Sequence, residues 1–273
     1  MKKLIIYTSG GLSNRVFPIA SAIEFAKKTE RELFVFWPID RSCGAEFNHL
    51  YKDKLNFIGV DFLNSLEDQK TSYVSKFQDT VINDGNFYGR PFLISKLNKG
   101  LIKIGEISDD NESENIVYAS NTFMENLSKE QNERSLKSLT IVEDCQQLIE
   151  SLTNELGINR DVIGVHARGT DFLPDINFYI KRIELSIEHP NQKILICSDD
   201  SDLESSLINL FPNVIYRKNK SFVKKYRGWD VDRNEVSIMK DSIIDLFLLS
   251  KTNFKVYNQR SMFSSYIKIL AGE

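Results

Sequence analysis

His166, Arg168 and Asp171 close an apolar run, DVIGVHARGTDF, that extends from Asp161 to Phe172. Val162, Ile163, Gly164 and Val165 read as a short strand buried on both faces, so the polar residues behind them emerge at its carboxyl end. In open α/β sheets that end is where ligands bind. Arg168 brings a permanent positive charge and a planar fork of donors, which suits a pair of phosphate oxygens better than a lysine would. A nucleoside diphosphate is the ligand this chemistry points to. Taken alone, the same residues fit an ordinary ion pair between Arg168 and Asp171 in a strand-to-helix loop equally well.

Other segments carry comparable residues. LICSDDSDLESSL, Leu195 to Leu207, sets Asp199, Asp200 and Asp202 behind a strand. Magnesium binding is conceivable there, but acidic residues at a helix N-terminus serve equally as caps. GGLSNR, Gly10 to Arg15, lies between a strand and a helix. Glycines at such a turn let backbone amides approach an anion or a sugar closely, and a purely structural turn explains them as well. This is not the GxGxxG fingerprint.

In company, these stretches resemble a known family. GVHARGTDF resembles the HxRRxD motif of the GDP-fucose-dependent fucosyltransferases, the group holding the α1,2-, α1,6- and protein O-fucosyltransferases. LICSDDSDLESSL is similar to the family's strand, Asp pair and helix. DSIIDLFLLSKTNFKVYNQRSMFSSY, Asp241 to Tyr266, is similar to its last motif, and GGLSNR to its opening turn. The resemblance covers the second half well and the first half only at its start, and a bacterial member is expected. It implies two Rossmann-like domains facing a cleft, the GT-B glycosyltransferase layout, with inverting transfer of fucose from GDP-fucose to a glycan hydroxyl. It implies that Arg168 holds the β-phosphate as it leaves beside the motif histidine His166, and that Asp199 and Asp200 read the guanine edge. Ser261, Phe263 and Ser264 would cradle the diphosphate at a helix N-terminus. Gly10, Gly11, Asn14 and Arg15 would line the donor site, with Asn14 and Arg15 aimed at sugar or phosphates. No metal and no other cofactor is implied. Gly169 departs from the pattern, standing where many members, though not the protein O-fucosyltransferases, have a second arginine, so one phosphate contact is either missing or supplied by Arg15 or the basic segment 217–233.

The acceptor hydroxyl must lose its proton to a base, unless a highly dissociative transfer releases that proton late. Asp171, Asp175 and Glu46 are candidates, each with a cap or a loop ion pair as its plainer role, and Asp171 is the residue assigned.

The elements that must position these groups follow from periodicity. Strands are expected at Leu4–Thr8, Leu33–Trp37, Ile116–Ala119, Val162–Val165, Lys193–Cys197, Val214–Tyr216 and Phe254–Tyr257. Helices are expected at Ser13–Lys28, Ile141–Leu156, Ile176–Ile187, Asp202–Leu210, Glu235–Ser250 and Ser261–Leu270. Alternation of this kind means a parallel sheet in an α/β protein, and alternation alone fits one large doubly wound sheet as well as the two domains that the resemblance implies. The division expected is 1–157, acceptor side, and 158–273, nucleotide-sugar side. Residues 55–100 lose clear periodicity and read as acceptor-side structure. Trp37, Asp40, Glu46 and His49 lie past the second strand as rim candidates. The run 217–233 carries Lys218, Lys220, Lys224, Lys225, Arg227 and Arg233, either a solvated face or a mobile flap whose cations meet phosphate.

Composition sets the outer bounds. With 273 residues, 41% of them hydrophobic, the chain can build two cores. A net charge of −3 with signs interspersed argues against a nucleic-acid footprint. Cys43, Cys145 and Cys197 lack zinc spacing and read as reduced thiols of a cytoplasmic protein. No stretch reaches the roughly 20 apolar residues of a membrane span, so at most peripheral membrane contact is expected. The partners expected are a nucleotide-sugar donor and a glycan or lipid-linked oligosaccharide acceptor, for surface polysaccharide synthesis. Rival readings are the same scaffold with another GDP- or ADP-linked sugar, and a nucleotide-sugar binding protein without turnover.

Overall fold

A computed structural model describes residues 2–66, 70–76, 90–108, 113–169, 175–225 and 231–273. The chain forms two compact units, Met1–Cys43 with Lys52–Thr140, and Gly44–Tyr51 with Ile141–Glu273.

The first unit is built on a six-stranded parallel sheet. Its strands are β1 (Lys3–Tyr7), β2 (Glu32–Phe36), β3 (Asn56–Phe57), β4 (Thr71–Ser75), β5 (Ile102–Ile104) and β6 (Asn115–Ala119), in the order β3-β2-β1-β6-β4-β5. β1 is central and its Leu4, Ile5, Ile6 and Tyr7 are fully buried, as a strand covered on both faces requires. Helix α1 (Leu12–Lys28) returns the chain from β1 to β2. It packs on α4 (Lys129–Ser138), where Ser21 Oγ donates to Asn132 Oδ1 at 2.6 Å and Ser135 Oγ to the Ala20 carbonyl at 2.7 Å. The stretch without visible periodicity contains α2 (Val60–Asn64), β4 and α3 (Arg90–Asn98). β4 reads TSYVS, and its burial comes from lying between β6 and β5 rather than from an apolar sequence. Its Tyr73 joins Phe92 and Leu93 of α3 in a core with Tyr7 and Phe36.

The second unit carries a four-stranded parallel sheet, β12-β7-β8-β9, formed by β7 (Ile163–Ala167), β8 (Ile194–Ser198), β9 (Val214–Ile215) and β12 (Asn253–Val256). Its helices are α5 (Glu143–Leu156), α6 (Ile176–Ser186), α7 (Ser201–Leu210), α8 (Val236–Ser250) and α9 (Met262–Ala271), and a small hairpin pairs β10 (Lys224–Lys225) with β11 (Val231–Asp232). α8 is apolar nearly all round, consistent with its buried Ile243, Leu246, Leu248 and Leu249.

This unit begins before residue 158. α5 packs on α8 through a face that buries Cys145 and Ile149, so it clusters with the second sheet rather than the first. Gly44–Tyr51 joins the same unit. The Gly44 amide donates to the Arg233 carbonyl at 3.0 Å, and a Cβ at Gly44 would collide with the Asn234 backbone. The Val142 amide donates to the Leu50 carbonyl at 3.0 Å, and the Tyr51 and Tyr266 hydroxyls lie 3.3 Å apart. Local periodicity carries no trace of such long-range pairing.

Candidate functional site

Three chain segments meet at the carboxyl edge of the second sheet. The first is the end of β7, the second the turn after β8, and the third the start of α9. β7 and β8 run in register, with His166 opposite Cys197 and Ala167 opposite Ser198, so the residues just behind them are neighbours by construction.

His166 is 5% exposed, its Nδ1 lies 2.8 Å from Ser264 Oγ, and its ring tilts against Phe263 at a centroid distance of 4.8 Å. Burial pulls its pKa down to about 4, the Arg168 charge adding to the effect against the opposing field of Asp199, so the ring is neutral at physiological pH. Arg168 is half-buried. Its backbone is locked by Tyr179, whose hydroxyl receives the Arg168 amide at 2.9 Å and donates to the Arg168 carbonyl at 3.1 Å. Its NH1 donates to Ser261 Oγ at 3.3 Å. Ser261 is the N-cap of α9 and accepts the Ser264 amide at 3.3 Å. A guanidinium is thereby held beside a helix N-terminus, two sources of positive potential side by side.

The turn after β8 is used differently for each of its two carboxylates. Asp199 Oδ1 accepts the Gly169 amide at 2.8 Å, and Oδ2 lies 3.5 Å from Arg233. Asp200 is 6% exposed and caps α7, accepting the amides of Asp202 at 2.9 Å and Leu203 at 3.0 Å through Oδ1. Gly169 is the reason the two strand ends can interlock. A Cβ there would collide with the Asp200 side chain, so the second arginine of the HxRRxD pattern has no room at this position.

The glycine turn of the first unit differs from expectation. Gly10 adopts φ +81°, a left-handed conformation that glycine takes without strain, and Gly11 occupies the N-cap of α1. Asn14 is half-buried beside Gly10. Arg15, expected to point at sugar or phosphate, is fully buried. Its Nε donates to the Gly10 carbonyl at 2.6 Å, NH1 to the Pro38 carbonyl, and NH2 to Asp40 Oδ2 at 2.8 Å, with the guanidinium 5.3 Å from the Trp37 ring. Arg15 fastens two loops together, and the rim candidates Trp37 and Asp40 are its partners. A buried guanidinium must have its donors satisfied, and the Pro38–Asp40 loop satisfies them.

The base candidates separate as well. Asp175 caps α6, accepting the Asn177 amide at 3.2 Å, and Glu46 forms a capping box with His49 over Phe47–His49. Asp171 lies outside the described residues. Nor are Arg217 and Lys220 of the basic run poised as a flap. Arg217 lies against Asp241 at 2.5 Å and Asp245 at 3.2 Å, and Lys220 against Glu204 at 2.5 Å and Asp245 at 3.2 Å, all largely buried. This network was not foreseen, although Asp241 and Asp245, one turn apart on an otherwise apolar helix, are the signal that could have revealed it. Among the described residues no group of His, Cys, Asp and Glu is arranged to hold a metal ion, and no helix is long and apolar enough to cross a membrane.

No protein-family model matches the chain, and no curated protein matches it in sequence. Solved structures do match. The fucosyltransferase NodZ from Bradyrhizobium aligns over 99% of this chain and 93% of its own at 18% identity, with a TM-score of 0.65. The structure of Arabidopsis thaliana FUT1 in complex with GDP aligns over 99% of this chain and 68% of its own at 15% identity, TM-score 0.56. POFUT1 in complex with GDP-fucose aligns over 98% and 93% at 11% identity, TM-score 0.54. The chain has the mixed α/β, parallel-sheet fold of these fucosyltransferases.

Proposed function

We propose that the protein is a glycosyltransferase that moves fucose from GDP-fucose to a hydroxyl of a glycan or lipid-linked oligosaccharide, with inversion and without a metal, as a cytoplasmic step in building a surface polysaccharide. The observation that carries this reading is Arg168 held by Ser261 at the N-terminus of α9, beside a neutral His166. Inverting transfer needs its leaving diphosphate neutralised, and a guanidinium with a helix N-terminus does this without a cation. The fold supports the donor, since a NodZ α1,6-fucosyltransferase was solved after soaking with GDP-fucose. Asp171, three residues past Arg168, is the base assigned in this reading. Of the Asp pair, Asp199 is the residue assigned to the nucleobase, because Asp200 caps α7.

That use of Asp200 also favours a second reading, the same transfer from a sugar carried on another nucleotide. Calorimetric titration with GDP, ADP and UDP, with and without magnesium, separates the two. Selective, metal-independent GDP binding, followed by release of GDP from GDP-fucose in the presence of an acceptor panel, is the expected result. Tighter binding of ADP or UDP discards the donor, and binding of none of the three sinks the proposal.

A further inference from the structure

We propose that Lys220 is a positioning residue for the candidate nucleotide-binding edge, holding the Ser198–Asp200 turn from beneath and, through that turn, the Gly169 amide beside Arg168. As a role in donor binding this rests on the function proposed above. As a statement about the turn it stands independently.

The three N–H donors of the ammonium meet three acceptors, the Ser198 carbonyl at 2.9 Å, Glu204 Oε1 at 2.5 Å and Asp245 Oδ2 at 3.2 Å. Glu204 Oε1 also accepts the Ser198 amide at 3.3 Å, so the lysine and its partner between them hold both backbone polar groups of that residue. Ser198 is the last residue of β8. β9 pairs with Ile194 and Leu195 and runs no further along the strand, and the Lys220–Glu204 pair takes up the place where a longer β9 would have bonded. A buried backbone amide and carbonyl left without partners would each be costly. The same loop adds a backbone contact, the Val223 amide donating to the Asp199 carbonyl at 3.2 Å.

The hold extends to Arg168 in two steps. Asp199 Oδ1 receives the Gly169 amide, and Gly169 sits so close to Asp200 that neither side of the turn can shift alone. Lys220 has a side chain 2% exposed, so it acts through these neighbours and not by touching a ligand.

Lys220→Met alone would leave Glu204 and Asp245 facing each other in a buried site and could unfold the unit. The decisive variant is therefore Lys220→Met with Glu204→Met, which removes one charge of each sign and preserves apolar volume. Native-state amide exchange of this double variant is expected to accelerate about tenfold or more at Gly169 and Ser198–Asp200, with β7 and β12 core amides unchanged. Exchange at those amides equal to wild type, or faster only in proportion to the core, would overturn the proposal. This measurement needs no ligand, so it stands even if wild-type protein fails to bind GDP, an outcome that would defeat the function and not the clamp. Where wild type binds GDP, the double variant is expected to bind it about tenfold more weakly. Unchanged affinity would overturn the link to the nucleotide edge.

Discussion

Arg15 in the first unit and Arg168 in the second each stand shortly behind the carboxyl end of a parallel strand, and their surroundings give them different work. Arg15 is fully buried and commits Nε, NH1 and NH2 to Gly10, Pro38 and Asp40. Arg168 is half-buried, locked at its backbone by Tyr179, with NH1 on the cap of α9. The residue type is the same, and what differs is depth of burial. The PID segment after β2 gives Arg15 a carbonyl and a carboxylate deep in the first unit, whereas Arg168 is fixed at its backbone and shares the hydroxyl that caps α9. An arginine near a strand end can therefore serve as a structural clasp, and burial is what marks Arg15 as one.

The contrast predicts a large stability effect at the first arginine. Arg15→Met strands Asp40, whose side chain is 3% exposed, and is expected to cost about 3–5 kcal/mol in urea unfolding. A loss under about 1 kcal/mol would break the comparison, because Arg15 would then not be holding its loops.

The next effect is a pH dependence that the second unit hides by compensation. His166 is depressed from 6.5 to about 4, so it stabilises the fold above pH 6.5 and that contribution is lost as pH falls toward 4. Glu204 is raised from 4.5 to about 7, chiefly by burial against the pull of Lys220, so its contribution is present below pH 4.5 and is lost as pH rises through 7. The two oppose each other between about pH 4.5 and 6.5, and wild-type stability should be nearly flat there. In Glu204→Gln the histidine slope stands alone, and stability is expected to fall by roughly 3 kcal/mol from pH 6.5 to 4. A Glu204→Gln profile as flat as wild type would show that His166 is not held neutral by its site.

The smallest stability effect belongs to the second arginine. Arg168→Ala should change the unfolding free energy by less than about 1 kcal/mol, since its side chain is half-buried where that of Arg15 is fully buried. Its effect should fall on the ligand, with GDP affinity reduced at least about tenfold by the loss of a charge-assisted contact. Stability lost as in Arg15→Met, with GDP affinity intact, would reverse the assignment of the two residues.

The elements around the site were legible because their signals are local. The strands read as Val162–Val165 and Lys193–Cys197 each fall one or two residues from the structure's bounds, and the cap readings of Asp175 and Asp200 hold, because each signal lies within a few residues of the element it defines. β4 was not legible, since TSYVS is buried by its neighbours rather than by its own composition. α4 escaped for a similar reason, its KEQNERSLKS being polar and its bonds to α1 made by Asn132 and Ser135.

By itself the sequence determined the alternation of strands and helices, hence parallel strands, and it placed His166, Arg168, Asp199, Ser261 and Ser264 at or just beyond strand ends and at the start of the last helix. Only the tertiary structure decided which charges are spent on holding the fold. Burial forces each ionised group to find a partner, and the carboxylate partners of Arg15, Arg217 and Lys220 lie between 16 and 28 residues away along the chain, beyond the reach of local periodicity.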